Sequence, residues 1–85
     1  FITMPLNLKN HLIDQIDIEK ACEDSGIPVN DVAILLIVSV HRSPSAVQLS
    51  VNARAPVLVN APTRQAVQYV FQHGKYKVQH LLEMH

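Results

Sequence analysis

Val32-Ala-Ile-Leu-Leu-Ile-Val-Ser-Val40 is followed closely by Val47-Gln-Leu-Ser-Val-Asn52, and these two stretches decide the fold class. The first is a near-continuous apolar run between Pro28 and Pro44. Its length and its β-branched Ile34, Ile37, Val38 and Val40 predict a strand covered on both faces rather than a buried helix. Arg42-Ser43-Pro44-Ser45 reads as a turn. In the second stretch Val47, Leu49 and Val51 alternate with Gln48, Ser50 and Asn52, the two-residue period of a strand with one buried face.

Working outward, Pro56-Val57-Leu58-Val59 is a further strand, confined by its proline to an edge, a start or a bulge. Residues 52–55 fit either a four-residue hairpin loop or a bend within one long strand. After a loop at 60–63, residues 66–71 alternate again, with Val67, Tyr69 and Phe71 on one side. His73-Gly74 marks a tight turn, and Tyr76, Val78 and His80 make a last short strand. At the other end, residues 1–4 read as strand, stopped by Pro5, which has no N–H for a ladder. Residues 6–16 read as a loop packed on the core. Residues 17–24 predict a short helix, with Asp17 as cap, Ile18, Ala21 and Cys22 on one face, and Gly26 and Pro28 as stop signals. The expected fold is mainly β: an antiparallel sheet curling into a small barrel or sandwich, with one short α-helix near residues 17–24.

Composition narrows the function. With 85 residues the chain makes a single domain, burying about 60–65% of its unfolded surface. Seven basic and seven acidic side chains cancel, and no basic stripe of the kind that neutralises phosphates is visible, so direct nucleic-acid binding is not expected. One cysteine, Cys22, permits no internal disulfide and fits a reducing compartment. No apolar run approaches the roughly 20 residues that span a bilayer, and no secretory signal is recognisable. The expected setting is the cytoplasm, away from membranes. The opening Phe1-Ile2-Thr3-Met4 already reads as strand, so the chain is expected to be the C-terminal portion of a longer protein of about 150 residues.

Catalytic and metal chemistry find little support. His11, His41, His73, His80 and His85 show no H-x-x-x-H spacing, and Cys22 has no second cysteine; they read as surface or turn histidines, and no metal or cofactor is expected. Cys22 falls on the apolar side of the helix and reads as packing rather than as a nucleophile. No acid–base pair is apparent, and the chain is not expected to be an enzyme.

The segment Val51-Asn-Ala-Arg-Ala-Pro-Val-Leu-Val-Asn60, with Arg64, Gln68, Tyr69-Val70 and Lys75-Tyr76 after it, resembles the signature of the FliW family of flagellar assembly factors. The likeness is strongest between residues 32 and 82. Ala53-Arg54 and Ala66 depart from the usual family residues, and the family's N-terminal strands have no counterpart. The resemblance implies a protein-binding regulator that binds flagellin and, when flagellin is exported, binds and antagonises CsrA, a translational repressor. Partner switching of this kind turns over no substrate.

Five residues are candidates for partner contact: Asn52, Arg54, Asn60, Arg64 and Gln68. Asn52 and Asn60 flank the Ala-Pro strand, where asparagine also bonds nearby backbone. Arg64 carries a guanidinium fork suited to carboxylates. Gln68 could order the sheet or meet a partner. Lys75 and Lys77 read as turn and edge-strand charges. Absent N-terminal strands would leave an unpaired edge, so self-association, or completion by another polypeptide, through the opening strand is expected. The rival reading is a single-stranded-RNA-binding β module, with Tyr69, Phe71 and Tyr76 as stacking platform.

Overall fold

The long apolar run forms one 12-residue strand, and every other strand is placed by it. The computed structural model describes residues 2–6 and 12–82. In chain order these are β1 (Ile2–Pro5), α1 (Gln15–Ser25), a 3-10 turn (Val29–Asp31), β2 (Val32–Ser43), β3 (Ala46–Val51), β4 (Val57–Asn60), β5 (Gln65–Gln68) and β6 (His80–Leu82).

A strand has only two edges, and β2 uses both. On one edge β1 runs antiparallel from Ile2 opposite Val38 to Pro5 opposite Leu35. The Leu6 N–H continues this ladder to the Ile34 carbonyl at 2.7 Å. Even-numbered residues of β2 therefore bond to β1, and Pro5 falls at a non-bonded position where its missing N–H costs nothing. On the other edge β3 pairs with residues 38–43 of β2 and β4 with residues 32–35. β3 and β4 thus form one interrupted strand, and residues 52–56 are a bend within it. In the bend five residues, 52–56, lie opposite two, 36 and 37. β5 then pairs with β4, and β6 with β3. The result is a six-stranded antiparallel sheet that bends but does not close into a barrel.

Helix α1 covers one face. It buries Ile18, Ala21 and Cys22 against Ile34, Leu36, Val51, Leu58 and Phe71, and desolvation raises the Cys22 thiol pKa. The helix starts two residues before the expected position. Asp14 occupies the cap position, its carbonyl receiving the Asp17 and Ile18 N–H groups, and it makes no side-chain cap bond. Asp17 is bound elsewhere, as described below. Gly26 ends the helix in the left-handed region at φ 70°, its N–H reaching the Cys22 and Glu23 carbonyls.

Further sequence expectations are corrected. β2 is buried on one face only: Ile34 and Leu36 point into the core, while Ala33 is exposed and Leu35 and Ile37 are half-covered. With helix on one side of a single sheet, the other face stays nearer solvent. Beyond Val38, β2 and the start of β3 form a two-stranded arm exposed on both faces, leaving Val47 56% accessible despite its place in the alternating pattern. Ser50, expected to face out, is buried, its Oγ 3.0 Å from His41 Nε2. Finally, Tyr69, Phe71, Tyr76 and Val78 lie outside strands; most of residues 69–79 runs as an irregular strap across the bend.

Candidate functional site

The Asn-Ala-Arg-Ala-Pro stretch forms the bend. Ala53, Ala55 and Pro56 are buried there, beneath the strap. Buried backbone needs partners, and the strap and neighbouring side chains supply them. The Ala53 and Arg54 N–H groups donate to the Lys77 carbonyl, the Tyr69 N–H to Pro56, and the Phe71 N–H to Arg54.

Three of the five candidate residues serve this arrangement. Asn52 Oδ1 accepts the Ala55 N–H at 3.0 Å, turning the chain into the bend. Arg54 Nε donates to the Phe71 carbonyl at 3.3 Å, and Gln68 Nε2 donates to the Ala55 carbonyl at 3.2 Å. The structure brings these three together as ties between bend and strap.

Asn60 and Arg64 stand apart, on the β4–β5 turn. Arg64 is exposed and adopts φ 60°, the one positive φ outside glycine among the described residues. Its N–H closes the turn on the Asn60 carbonyl at 2.7 Å. A left-handed residue closes a four-residue hairpin loop, and arginine does so at a cost of roughly 1–2 kcal/mol that glycine avoids. Asn60 Oδ1 is buried without a hydrogen-bond partner.

A polar clasp that sequence reasoning missed fastens the strap to the start of α1. Lys75 Nζ pairs with Asp14 and, at 3.3 Å, with Asp17. The Tyr76 hydroxyl donates to Asp17 Oδ2 and accepts the Asp14 N–H at 2.9 Å. His73 Nε2 lies 3.6 Å from Asp17 Oδ1. The Tyr76 hydrogen bond, then Lys75 and His73, hold the Asp17 carboxyl below its usual range against the opposing effect of desolvation. The hydrogen bond to Asp14 leads in raising Lys75, and burial leads in raising Tyr76. Partners some sixty residues apart leave no local signal; only the charge types at 14, 17 and 75 hinted at them.

The aromatic residues of the rival RNA-binding reading are engaged in packing. Phe71 is buried, with Tyr69 and Tyr76 ring centroids 5.3 and 5.0 Å away. The Tyr69 hydroxyl donates to Asp24 Oδ2 at 2.6 Å, the leading cause of its raised pKa. Among the described residues, no three His, Cys, Asp or Glu side chains converge as a metal site, and no helix is long and apolar enough to cross a membrane. His11 and His85 lie outside the described residues.

The family model described as "FliW protein" matches residues 5–82. The flagellar assembly factor FliW of Syntrophus aciditrophicus (strain SB) is 36% identical over 50 residues, covering 59% of this chain and 30% of that protein. The flagellar assembly factor FliW of Clostridium novyi (strain NT) is 29% identical over 77 residues, covering 91% of this chain and 47% of that protein. The chain thus spans less than half the length of these curated relatives. No solved structure matches.

Proposed function

The chain belongs to the FliW family, and from that membership we propose that it acts in flagellar assembly as a cytoplasmic, non-enzymatic regulator that binds flagellin and antagonises CsrA. The observation that carries this reading is the family match over residues 5–82, which includes the bend, the strap and the β4–β5 turn. Exchange between two protein partners is governed by mass action, and the bend tied at Asn52, Arg54 and Gln68 lies within the matched residues.

Within this reading the five candidate residues divide. Asn60 and Arg64, on the β4–β5 turn, make direct partner contacts. Asn52, Arg54 and Gln68 act through the bend they hold. Calorimetry with purified flagellin and purified CsrA tests the proposal: each should bind, and flagellin should displace CsrA. Failure to bind either partner would overturn it.

Self-association, or completion by another polypeptide, through the opening strand is part of the same reading. Among the described residues β1 pairs with β2 alone, so its outer edge is open to a further strand. Light scattering should give a mass above the monomer that rises with concentration; a monomer throughout would remove this element.

A further inference from the structure

We propose that the outer edge of β5 takes an extended segment of a partner polypeptide as a further strand, with one of its apolar side chains in the cleft beside Val67. The proposal deepens the protein-binding reading by giving the chemistry of a contact, and it rests on that reading.

The backbone sets the first requirement. The Ala61 N–H reaches the Asp31 carbonyl at 3.0 Å, so odd-numbered residues of β4 bond to β2 and even-numbered ones turn to β5. Leu58 and Asn60 stand opposite Val67 and Gln65. The Tyr69 N–H continues the same alternation, reaching the Pro56 carbonyl at 2.9 Å. Gln65 and Val67 therefore direct their backbone groups to β4, while the N–H and C=O of Ala66 and Gln68 point away from it. Among the described residues β5 pairs with β4 alone. A row of donors and acceptors at this repeat is matched by another extended backbone.

The edge also lacks the features that discourage such pairing. Charges, prolines and bulges protect edge strands. Gln65-Ala-Val-Gln68 has no charge and no proline, its register with β4 is unbroken, and all of its residues are exposed. By contrast, β1 ends in Pro5 and β6 is only three residues long. The strand is already held in place, because the Gln68 side chain donates to the Ala55 carbonyl at 3.2 Å. Pairing there needs little further ordering.

The third observation selects the side chain. Val67 stands opposite buried Leu58 on the helix-covered face, yet it is 44% accessible. It borders a cleft of about 440 Å³ whose walls include Ile27, Asn60, Gln65 and Ala66. Ala66 brings that cleft to the outer edge of the strand. Because Val67 bonds towards β4, it is a non-bonded position towards an added antiparallel strand, where facing side chains approach most closely. The residue opposite it meets Val67 at the open side of the cleft, a place suited to valine or isoleucine.

The test is an amide NMR titration of the 85-residue chain with the peptide acetyl-Thr-Val-Thr-Val-Thr-amide. Its valines suit the cleft side and its threonines the pairing positions. Saturable shifts should centre on β5, with the Ala66 and Gln68 amides gaining protection from hydrogen exchange. The same peptide N-methylated at its threonines should bind roughly tenfold more weakly or worse. Ala66→Pro, which deletes one outward N–H, should do the same; if that variant loses its native spectrum, the methylated peptide decides. Val67→Ser should weaken binding roughly two- to fivefold. Undiminished binding of the methylated peptide, no localised shifts, or shifts centred on β1 or β6 would each overturn the proposal. So would a self-association that Ala66→Pro abolishes, since the edge would then belong to a second copy of this chain. Neither flagellin nor CsrA enters this experiment, so its failure is distinct from a failure of their binding.

Discussion

β2 passes through two regions that treat the same kinds of side chain differently. Around Ile34 and Leu36 it is roofed by α1 and flanked by β1 and β4, and both residues are buried. Beyond Val38 it enters the hairpin arm, where Val40 is 39% accessible and stands outside the core cluster that α1 joins. The molecule is elongated, 44 Å along its longest axis against 26 and 21 Å. Apolarity and β-branching decide that both regions are strand. Burial is decided by what covers the strand, which residues distant in sequence supply.

This contrast can be broken most forcefully in the covered region. Leu36→Ala should cost about 2–5 kcal/mol, because it removes apolar contacts and leaves a cavity; urea unfolding measures it. A loss below 1 kcal/mol would mean that the helix roof packs far more loosely than described. Next in size is the bend. Asn52→Ala leaves the Ala55 N–H without its acceptor and should cost about 1–2 kcal/mol by the same assay.

The clasp sharpens the comparison through pH, since it holds the strap over the covered half. The Asp17 pKa is lowered, the Tyr76 hydrogen bond being its largest cause. Its contribution is therefore complete above the unfolded carboxylate's pKa and is lost as pH falls through the folded value. Lys75 and Tyr76 shift upward, so their contributions are complete below their unfolded values and are lost as pH rises through the folded ones. The clasp should hold across neutral pH and release at both extremes. Urea midpoints for the wild type and Asp17→Asn should differ by about 1 kcal/mol at neutral pH and converge in acid. A constant difference down to the most acid point would remove Asp17 from the clasp.

Two smaller effects bracket the exposed regions. Arg64→Gly should raise stability by about 0.5–1 kcal/mol, since glycine relieves the left-handed strain but brings a more disordered unfolded chain. If the same variant weakens partner binding in calorimetry, arginine is retained at that position for contact. Val47→Ala in the arm should change stability by less than about 0.5 kcal/mol; a larger loss in the monomer would show that the arm is covered in solution.

The same division separates what the sequence could reveal. The β2–β3 hairpin was legible because its signals are local: an apolar run, a proline-containing turn and an alternating partner. Gly26 announced the helix end by a conformational need that few residues meet. The helix start was misplaced because Asp17, a good cap by type, is engaged by Tyr76 and Lys75 far along the chain. The strand expected at Tyr76 and Val78 is absent because that backbone serves the bend instead, as with the Lys77 carbonyl. In the candidate site, Asn52 could be anticipated as a local backbone ligand from its short reach to Ala55. The ties of Arg54 to Phe71 and Gln68 to Ala55 depend on a fold the residues themselves do not announce.

The bend also constrains how this sequence can change in length. Opposite two residues of β2 it sets five, an excess of three, and an odd excess transfers the inward-facing positions from odd numbers, as at Val51, to even ones, as at Leu58. Deleting or inserting one residue there must either be absorbed in the bend, at the expense of the Asn52, Ala53 and Arg54 ties, or slip β4 by one residue against β2 and turn Leu58 outward. Libraries of single-residue indels should find 52–56 far less forgiving than the turn at the tip of the arm.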